Sequence, residues 1–257
     1  MNGGADMFHA TLDSTKTWKQ IVDALATLLT EVNFVISETG ISLCQLDSSK
    51  AAMIDLKLPA GVFQEYTCKG EHVVCLGVDE LVRISKRMAG DDRLEFSLDE
   101  KTQRFEIRMI GQADRKFSLM LLTPPDEERK SKPMPYDVRA EMYANAFKQA
   151  VKDIGVVSGH IKIHADKESL TFTGEGGIGE AQVVLKIGDE SPLYDLQMEK
   201  PATAMYSLSY LSEISKAMSS DSLVLQFATD KPIQMEFSVA EGGAIKFILA
   251  PRIERRR

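Results

Sequence analysis

Residues 81–88 read LVRISKRM, and residues 211–218 read LSEISKAM, which aligns Ile84 with Ile214. A second pair of similar stretches, WKQIVDAL at 18–25 and FKQAVKDI at 147–154, aligns Trp18 with Phe147. Both pairs keep nearly the same spacing, about half of the chain, which is far longer than the roughly 20–50 residues of a solenoid repeat. The sequence therefore predicts a duplicated domain.

The sequence of each copy predicts the same order of elements, namely helix, strands, helix, strands. The first stretch of each copy has apolar residues at helical spacing, such as Trp18, Ile21 and Leu25. The second stretch is followed in each copy by a turn signal, at 90–92 and at 219–221. Alternating or apolar runs between polar turns predict strands at 94–98, 104–110, 116–122, 223–227, 233–239 and 244–249. The predicted fold class is α+β.

The two copies are joined by residues 123–135, TPPDEERKSKPMP, which contain four prolines and six charged residues. Proline at this density excludes a helix interior and a central strand, and it makes a segment stiff and extended. We therefore predict an N-terminal domain at 7–122, a connecting linker at 123–135 and a C-terminal domain at 136–254.

Composition excludes several functional classes. No apolar run approaches the ~20 residues that span a bilayer, and residues 1–6 lack the basic and apolar regions of a secretory signal. Three cysteines without C-x-x-C spacing, Cys44, Cys68 and Cys75, argue against a disulfide framework and a zinc site. We expect a cytosolic protein without a membrane segment.

Nothing in the sequence predicts catalysis, a cofactor or a bound metal. His160 and His164 fall on one face of a predicted strand, but no third ligand is suggested. Residues 174–179, GEGGIG, match the G-x-G-x-x-G pattern, which in a dinucleotide fold opens a helix. Here a strand-like stretch, EAQVVL at 180–185, follows, so we predict a tight turn. A nucleotide-binding enzyme that uses the 174–179 loop remains the alternative from another functional class.

Charge is distributed unevenly along this acidic chain, whose net charge is −7. The four helix windows 14–29, 79–90, 142–154 and 209–218 hold eight basic and five acidic residues, so the rest of the chain carries −10. The basic residues are Lys16, Lys19, Arg83, Lys86, Arg87, Lys148, Lys152 and Lys216. For one helix alone, a solvated face is the simpler interpretation. Its repetition in an acidic protein favours a surface for phosphates that reads no base sequence.

Several short segments resemble the sliding clamps of the proliferating cell nuclear antigen family. They are Met7-Phe8, LDSS at 46–49, LGVD at 76–79, DKP at 230–232 and LAPRIE at 249–254, in family order and spacing. The resemblance covers residues 7–254 and looks archaeal. It implies two similar domains of antiparallel sheets with paired helices, the DNA clamp fold, and three chains in a six-domain ring. Such a protein is a non-enzymatic processivity factor that encircles duplex DNA. It would be cytoplasmic in an archaeon and nuclear in a eukaryote.

The resemblance also implies roles for individual residues. The eight basic helix residues would face DNA. The ring would close as a homotrimer by pairing 117–122 of one chain with 178–185 of the next, through Phe117, Leu119, Leu121, Ile178, Ala181 and Val183. Partners would insert short glutamine and aromatic motifs against Leu46, Met134, Pro232, Ile248, Ala250 and Pro251. The partners implied are DNA polymerase, the clamp loader, flap endonuclease and DNA ligase.

Two segments depart from the family pattern. The linker is basic at Arg129, Lys130 and Lys132, where relatives tend to be acidic or apolar, and residues 255–257 are all arginine.

The nearest alternative function is one subunit of a heterotrimeric clamp, which the same sequence could encode.

Overall fold

The computed structural model describes residues 7–99, 102–124 and 134–253. These residues divide into two compact units. Unit 1 comprises 7–48, 54–99, 102–124 and Val239–Ile245, and unit 2 comprises Ser49–Met53, 134–238 and 246–253. Most of the predicted linker, including its basic residues, and the arginine tail lie outside the described residues.

The first half of the chain begins with a strand, a helix and five strands, and ends with a helix and three strands. The strands are β1 Phe8–Leu12, β2 Glu31–Ser37, β3 Gly40–Leu46, β4 Ala52–Pro59, β5 Glu65–Cys68, β6 His72–Gly77, β7 Arg93–Asp99, β8 Arg104–Ile110 and β9 Asp114–Met120. The helices are α1 Thr15–Ala26 and α2 Val78–Ser85, with a short 3-10 turn at Ala60–Val62.

Among the described residues, the second half repeats that order of strands and helices, without a counterpart of the 3-10 turn. Its strands are β10 Val138–Tyr143, β11 His160–Ala165, β12 Ser169–Gly176, β13 Gly179–Lys186, β14 Leu193–Met198, β15 Ala202–Ser207, β16 Ser222–Phe227, β17 Ile233–Ser238 and β18 Ala244–Leu249. Its helices are α3 Ala144–Ile154 and α4 Leu208–Ala217. The α+β class and the duplicated order of elements predicted from the sequence are confirmed.

The sheets are antiparallel and leave two open edges that matter below. In unit 1, five strands lie in the order β5-β1-β7-β8-β9, so β9 is an edge strand. In unit 2, four strands lie in the order β13-β12-β11-β15, so β13 is an edge strand. Elsewhere β2 pairs with β3 and β6, and β10 pairs with β14 and β16.

Several predicted boundaries were wrong, such as that of the helix window 14–29, which contains α1 only to Ala26. The strand predicted at 116–122 is β9, Asp114–Met120, because the Leu122 amide turns away to donate to the Cys75 carbonyl at 2.9 Å. The helix predicted within 79–90 ends at Ser85, and beyond it the Arg87 amide donates to the Ile84 carbonyl at 2.9 Å, three residues back instead of four. None of the described helices is long and apolar enough to cross a membrane.

The glycine-rich stretch forms the tight turn of the β12–β13 hairpin, as predicted. Gly176 pairs with Gly179 across the hairpin, and Gly179 has a φ of +142°. A Cβ on Gly176 would lie 1.9 Å from the Val157 carbonyl oxygen, in the loop after α3. A Cβ on Gly174 would lie 2.4 Å from the Ile154 Cγ2. These glycines let the hairpin pack against the end of α3, and no helix opens from them as a dinucleotide site requires.

We expect Gly176→Ala to destabilise unit 2 by about 2 kcal/mol, because the added methyl group meets a backbone oxygen that has no side-chain freedom to move. Gly177→Ala is the matched control, since a Cβ at Gly177 meets nothing within 4 Å. Denaturant unfolding of both variants measures the difference. Equal free energies of unfolding would show that the hairpin does not need this close approach.

Candidate nucleic-acid interface

Each unit presents a pair of packed helices whose inner faces are apolar and whose outer faces carry charge. In unit 1, α1 packs against α2, and in unit 2, α3 packs against α4. Helix α1 buries Trp18, Ile21 and Leu25, and α3 buries the residues at the equivalent positions, Phe147, Ala150 and Ile154. Burial of this stripe forces the remaining side chains of each helix toward solvent.

The basic residues predicted to bind DNA fall into three groups. Lys16, Lys86, Arg87 and Lys152 are exposed, and none forms an ion pair with another residue that the structure describes. Arg83 and Lys216 are exposed but pair with Glu80 and Glu213, each at 2.6 Å and three residues away on the same helix. Lys19 and Lys148 are half-buried. Exposed pairs of this kind contribute little and are screened by salt, so the first group offers the cations most available to a ligand.

The two half-buried lysines make the same contact in both units. The Lys19 ammonium donates to the Met88 carbonyl at 2.8 Å, and the Lys148 ammonium donates to the Met218 carbonyl at 2.7 Å. The two pairs of repeated stretches align Lys19 with Lys148 and Met88 with Met218. Sequence reasoning placed both lysines on a helix surface but missed this contact. Alignment of the repeats shows that the residues correspond, but not that they touch.

A buried ion pair supports the loop after α2. The Asp92 carboxylate, whose side chain is 1% exposed, pairs with the Arg115 guanidinium from β9 and also accepts from the Ala89 amide at 2.7 Å. Arg115 donates in addition to the Arg87 carbonyl at 2.7 Å. Since a buried carboxylate without its cation is costly, this pair fixes the loop that carries Arg87. No motif or spacing in the sequence indicates this pair.

In unit 2, two segments that were predicted to contact partners, around Pro232 and around Pro251, are hydrogen-bonded to one strand, β15. The Asp230 amide donates to the Thr203 carbonyl at 3.2 Å, and the Arg252 amide donates to the Met205 carbonyl at 2.7 Å. The Tyr206 hydroxyl also donates to the Lys231 carbonyl at 2.8 Å, next to Pro232. Sequence reasoning missed Thr203, Met205 and Tyr206, because backbone hydrogen bonds leave no trace in residue type.

Ionisation of Tyr206 does not disrupt its hydrogen bond to the Lys231 carbonyl at neutral pH. Burial raises the pKa of Tyr206 far above its ordinary value, with smaller contributions from the nearby Tyr136 and Asp230. Burial likewise raises the pKa of Tyr136 to about 12. Both hydroxyls therefore remain protonated at neutral pH, and Tyr206 keeps its donor role.

The six predicted partner-contacting residues differ in how much surface they offer. Met134, Pro232 and Pro251 are half-buried and Ala250 is exposed. Ile248, on β18, is only 7% exposed and offers the least surface of the six, and its contact with partners stays a prediction. Leu46 lies in unit 1 at the end of β3 and is half-buried.

The predicted interface residues lie along the two open edges. Phe117 and Leu119 are in β9, whereas Leu121 lies just beyond its end and donates its amide to the Gln103 carbonyl at 3.3 Å. Ala181 and Val183 are in β13. Ile178 does not belong to the strand, contrary to the prediction, but stands in the hairpin turn with 79% of its surface exposed. Met120 and Val184 are further exposed apolar residues on these edges.

Two further titratable groups, His164 and Cys75, have structural explanations. His164 Nδ1 lies 2.7 Å from the Thr203 hydroxyl oxygen, and burial raises the pKa of the Cys75 thiol, which keeps it protonated and unreactive. In the part of the chain that the structure describes, no three histidine, cysteine or acidic side chains are grouped to hold a metal ion.

Comparison with protein families matches both halves of the chain. Residues 7–122 match the family model for the proliferating cell nuclear antigen, N-terminal domain, and residues 131–252 match that for the C-terminal domain. The DNA polymerase sliding clamp of Thermofilum pendens is 35% identical over 250 residues, covering 96% of this chain and 100% of that protein. The DNA polymerase sliding clamp of Thermococcus sibiricus is 33% identical over 248 residues, covering 96% and 99%.

Solved structures show the same likeness. The crystal structure of PCNA from Thermococcus kodakaraensis has a TM-score of 0.90 at 27% identity and covers 95% of this chain and 100% of that one. The crystal structure of the Entamoeba histolytica protein has a TM-score of 0.89 at 24% identity, covering 96% and 100%. At the latter identity the likeness concerns the fold alone.

Proposed function

This chain belongs to the proliferating cell nuclear antigen family and is a DNA polymerase sliding clamp, and we propose that three copies close a ring around duplex DNA. The observation that carries the function is the match to named sliding clamps over 96% of the chain. The chain acts as a DNA-associated tether, and the chemistry of synthesis belongs to the polymerase that it holds.

The DNA-facing surface in this proposal is the charged face of the helix pairs. Its main phosphate ligands are the four exposed cations of the first group, Lys16, Lys86, Arg87 and Lys152. Arg83 and Lys216 contribute less, because each shares its charge with a neighbouring glutamate. Contacts from long cationic side chains to phosphate carry no base sequence information and exchange readily, as a clamp that slides requires.

Ring closure in this proposal joins β9 of one copy to β13 of the next. Both are edge strands with unpaired backbone groups on one side, and such edges pair readily with another chain. Met120 at 71% exposure and Val184 at 44% add apolar surface that pairing would cover. Head-to-tail contacts of this type close into a ring when the rotation per chain allows it.

Partner proteins in this proposal dock on the segments that β15 holds in unit 2. Pro232, Ala250 and Pro251 offer apolar surface there, with Met134 at the start of the unit. A short peptide with a glutamine and aromatic anchors fits such a surface, because apolar anchors supply most of the affinity and a few polar groups fix the register. Polymerase, clamp loader, flap endonuclease and DNA ligase are the proposed bearers of that peptide. Leu46 remains a prediction from the resemblance.

We expect the purified protein to have three times the 28.5 kDa mass of one chain by light scattering. Met120→Lys and Val184→Lys should each shift it to the monomer, because a lysine on an edge strand opposes pairing. Tyr194→Lys, on the edge strand β14, is the control and should leave the trimer intact. A wild-type monomer at micromolar concentration would favour the heterotrimeric alternative, in which other chains complete the ring.

We expect alanine at all four cations of the first group to shorten the products of a polymerase on circular primed DNA. Each lost phosphate contact should also reduce the log–log salt dependence of retention on that DNA by about 0.9. The control removes four exposed lysines that lie outside the helices, Lys57, Lys69, Lys162 and Lys167. A helix variant that assembles and supports synthesis as well as the control variant would refute the DNA-facing assignment.

We expect Pro232→Glu to reduce the affinity for a glutamine and aromatic peptide at least tenfold, because a charge then replaces apolar contact. Ser219→Glu, at an exposed position after α4, adds the same charge elsewhere in unit 2 and should leave the affinity unchanged. Isothermal calorimetry measures both, with light scattering to confirm assembly. Unchanged peptide binding by Pro232→Glu would mean that partners dock elsewhere.

A further inference from the structure

We propose that Lys19 and Lys148 are positioning residues that tie the two helices of each unit together, rather than free phosphate ligands like their neighbours. Each lysine reaches from the first helix of its unit to the carbonyl that follows the second helix, at 2.8 Å in unit 1 and 2.7 Å in unit 2. The contact crosses 69 and 70 residues of sequence, so it is tertiary.

The chemistry around this contact is repeated in the two units. The accepting residues, Met88 and Met218, are 4% and 2% exposed, so buried side chains hold the carbonyls in place. Three residues earlier, Ser85 and Ser215 are also buried, and their hydroxyls donate back to carbonyls at 3.0 and 2.8 Å. The two units thus share a buried serine and a buried methionine three residues later, although α2 ends at Ser85 and α4 continues to Ala217.

An ammonium group suits this place for two physical reasons. The Met218 carbonyl stands at the C-cap of α4 and the Met88 carbonyl three residues beyond the end of α2, and a lysine side chain can satisfy a carbonyl that the helix leaves without a partner. The end of a helix also carries partial negative charge, which favours a nearby cation. A half-buried hydrogen bond with a charged donor is stronger than an exposed surface pair.

The basic residues that we assign to the DNA surface depend on these ends. Lys86 and Arg87 immediately precede Met88, and Lys216 stands two residues before Met218. A tie at the methionine carbonyl holds the backbone that presents these cations. This second part of the inference rests on the proposed function, whereas the tie itself does not.

The two ties are not equally supported. In unit 1 the Arg115 guanidinium bonds the Arg87 carbonyl as well, so the loop after α2 has two side-chain supports. The alignment that matches Met88 with Met218 places Ile245 at the position of Arg115, and an isoleucine side chain has no donor. We therefore expect the tie made by Lys148 to matter more than the tie made by Lys19.

The test compares lysines that lie on the same helix. Lys16→Ala is the control for Lys19→Ala, and Lys152→Ala is the control for Lys148→Ala. Each control removes the same charge from the same helix, three or four residues away. We expect the midpoint of thermal unfolding to fall by about 3 °C for Lys19→Ala and further for Lys148→Ala, and to stay unchanged for the controls. Lys19→Arg and Lys148→Arg should recover the midpoint, because a guanidinium also donates to a carbonyl.

Hydrogen exchange separates positioning from general destabilisation. Amides at 86–92 should exchange faster in Lys19→Ala, and those at 216–221 in Lys148→Ala, while the opposite unit is unaffected. Midpoints and exchange equal to the controls would overturn the inference, whatever happens on DNA. If the midpoints fall but all four alanine variants stay on circular DNA like wild type, the tie stands and the DNA-facing assignment fails.

Discussion

The structure depends on one constraint, namely that each amphipathic helix must bury its apolar stripe within its own unit. Trp18 and Phe147 occupy equivalent buried positions on α1 and α3 and set the rotation of each helix about its axis. Once that rotation is fixed, the lysines on the opposite side of each helix have no freedom to face inward. The surface charge of the helices is thus a consequence of core packing. Because the rest of the chain is acidic, the helices form its distinctive basic region.

Much of this arrangement could be predicted from the sequence, because it is local or repeated. The period of Trp18, Ile21 and Leu25 indicates a helix by itself, and the similarity of 81–88 to 211–218 indicates the duplication. What could not be predicted is tertiary. The partners of Lys19 and Arg115 lie far away in sequence. Residue type alone did not indicate how little of Ile248 is exposed, because its exposure depends on packing.

Backbone hydrogen bonds shape the proposed docking surface as strongly as its apolar residues. The outer carbonyls of β15, at Thr203 and Met205, each receive an amide from a segment that would otherwise be an irregular loop. Two loops attached to one strand keep a fixed separation, which is the condition for recognising a short peptide without first ordering the site. Variation in the exposed residues can then change partner preference without changing the frame.

The glycines of the β12–β13 hairpin couple two parts of unit 2 that are usually considered separately. Because Gly176 has no side chain, the hairpin backbone rests directly on the Val157 carbonyl in the loop after α3, without a deformable layer between them. Contacts between rigid backbones transmit displacement rather than absorb it. In the proposed ring, a force that pulls the neighbouring chain away from β13 would therefore also displace the loop after α3, so that the hairpin couples ring opening to this helix.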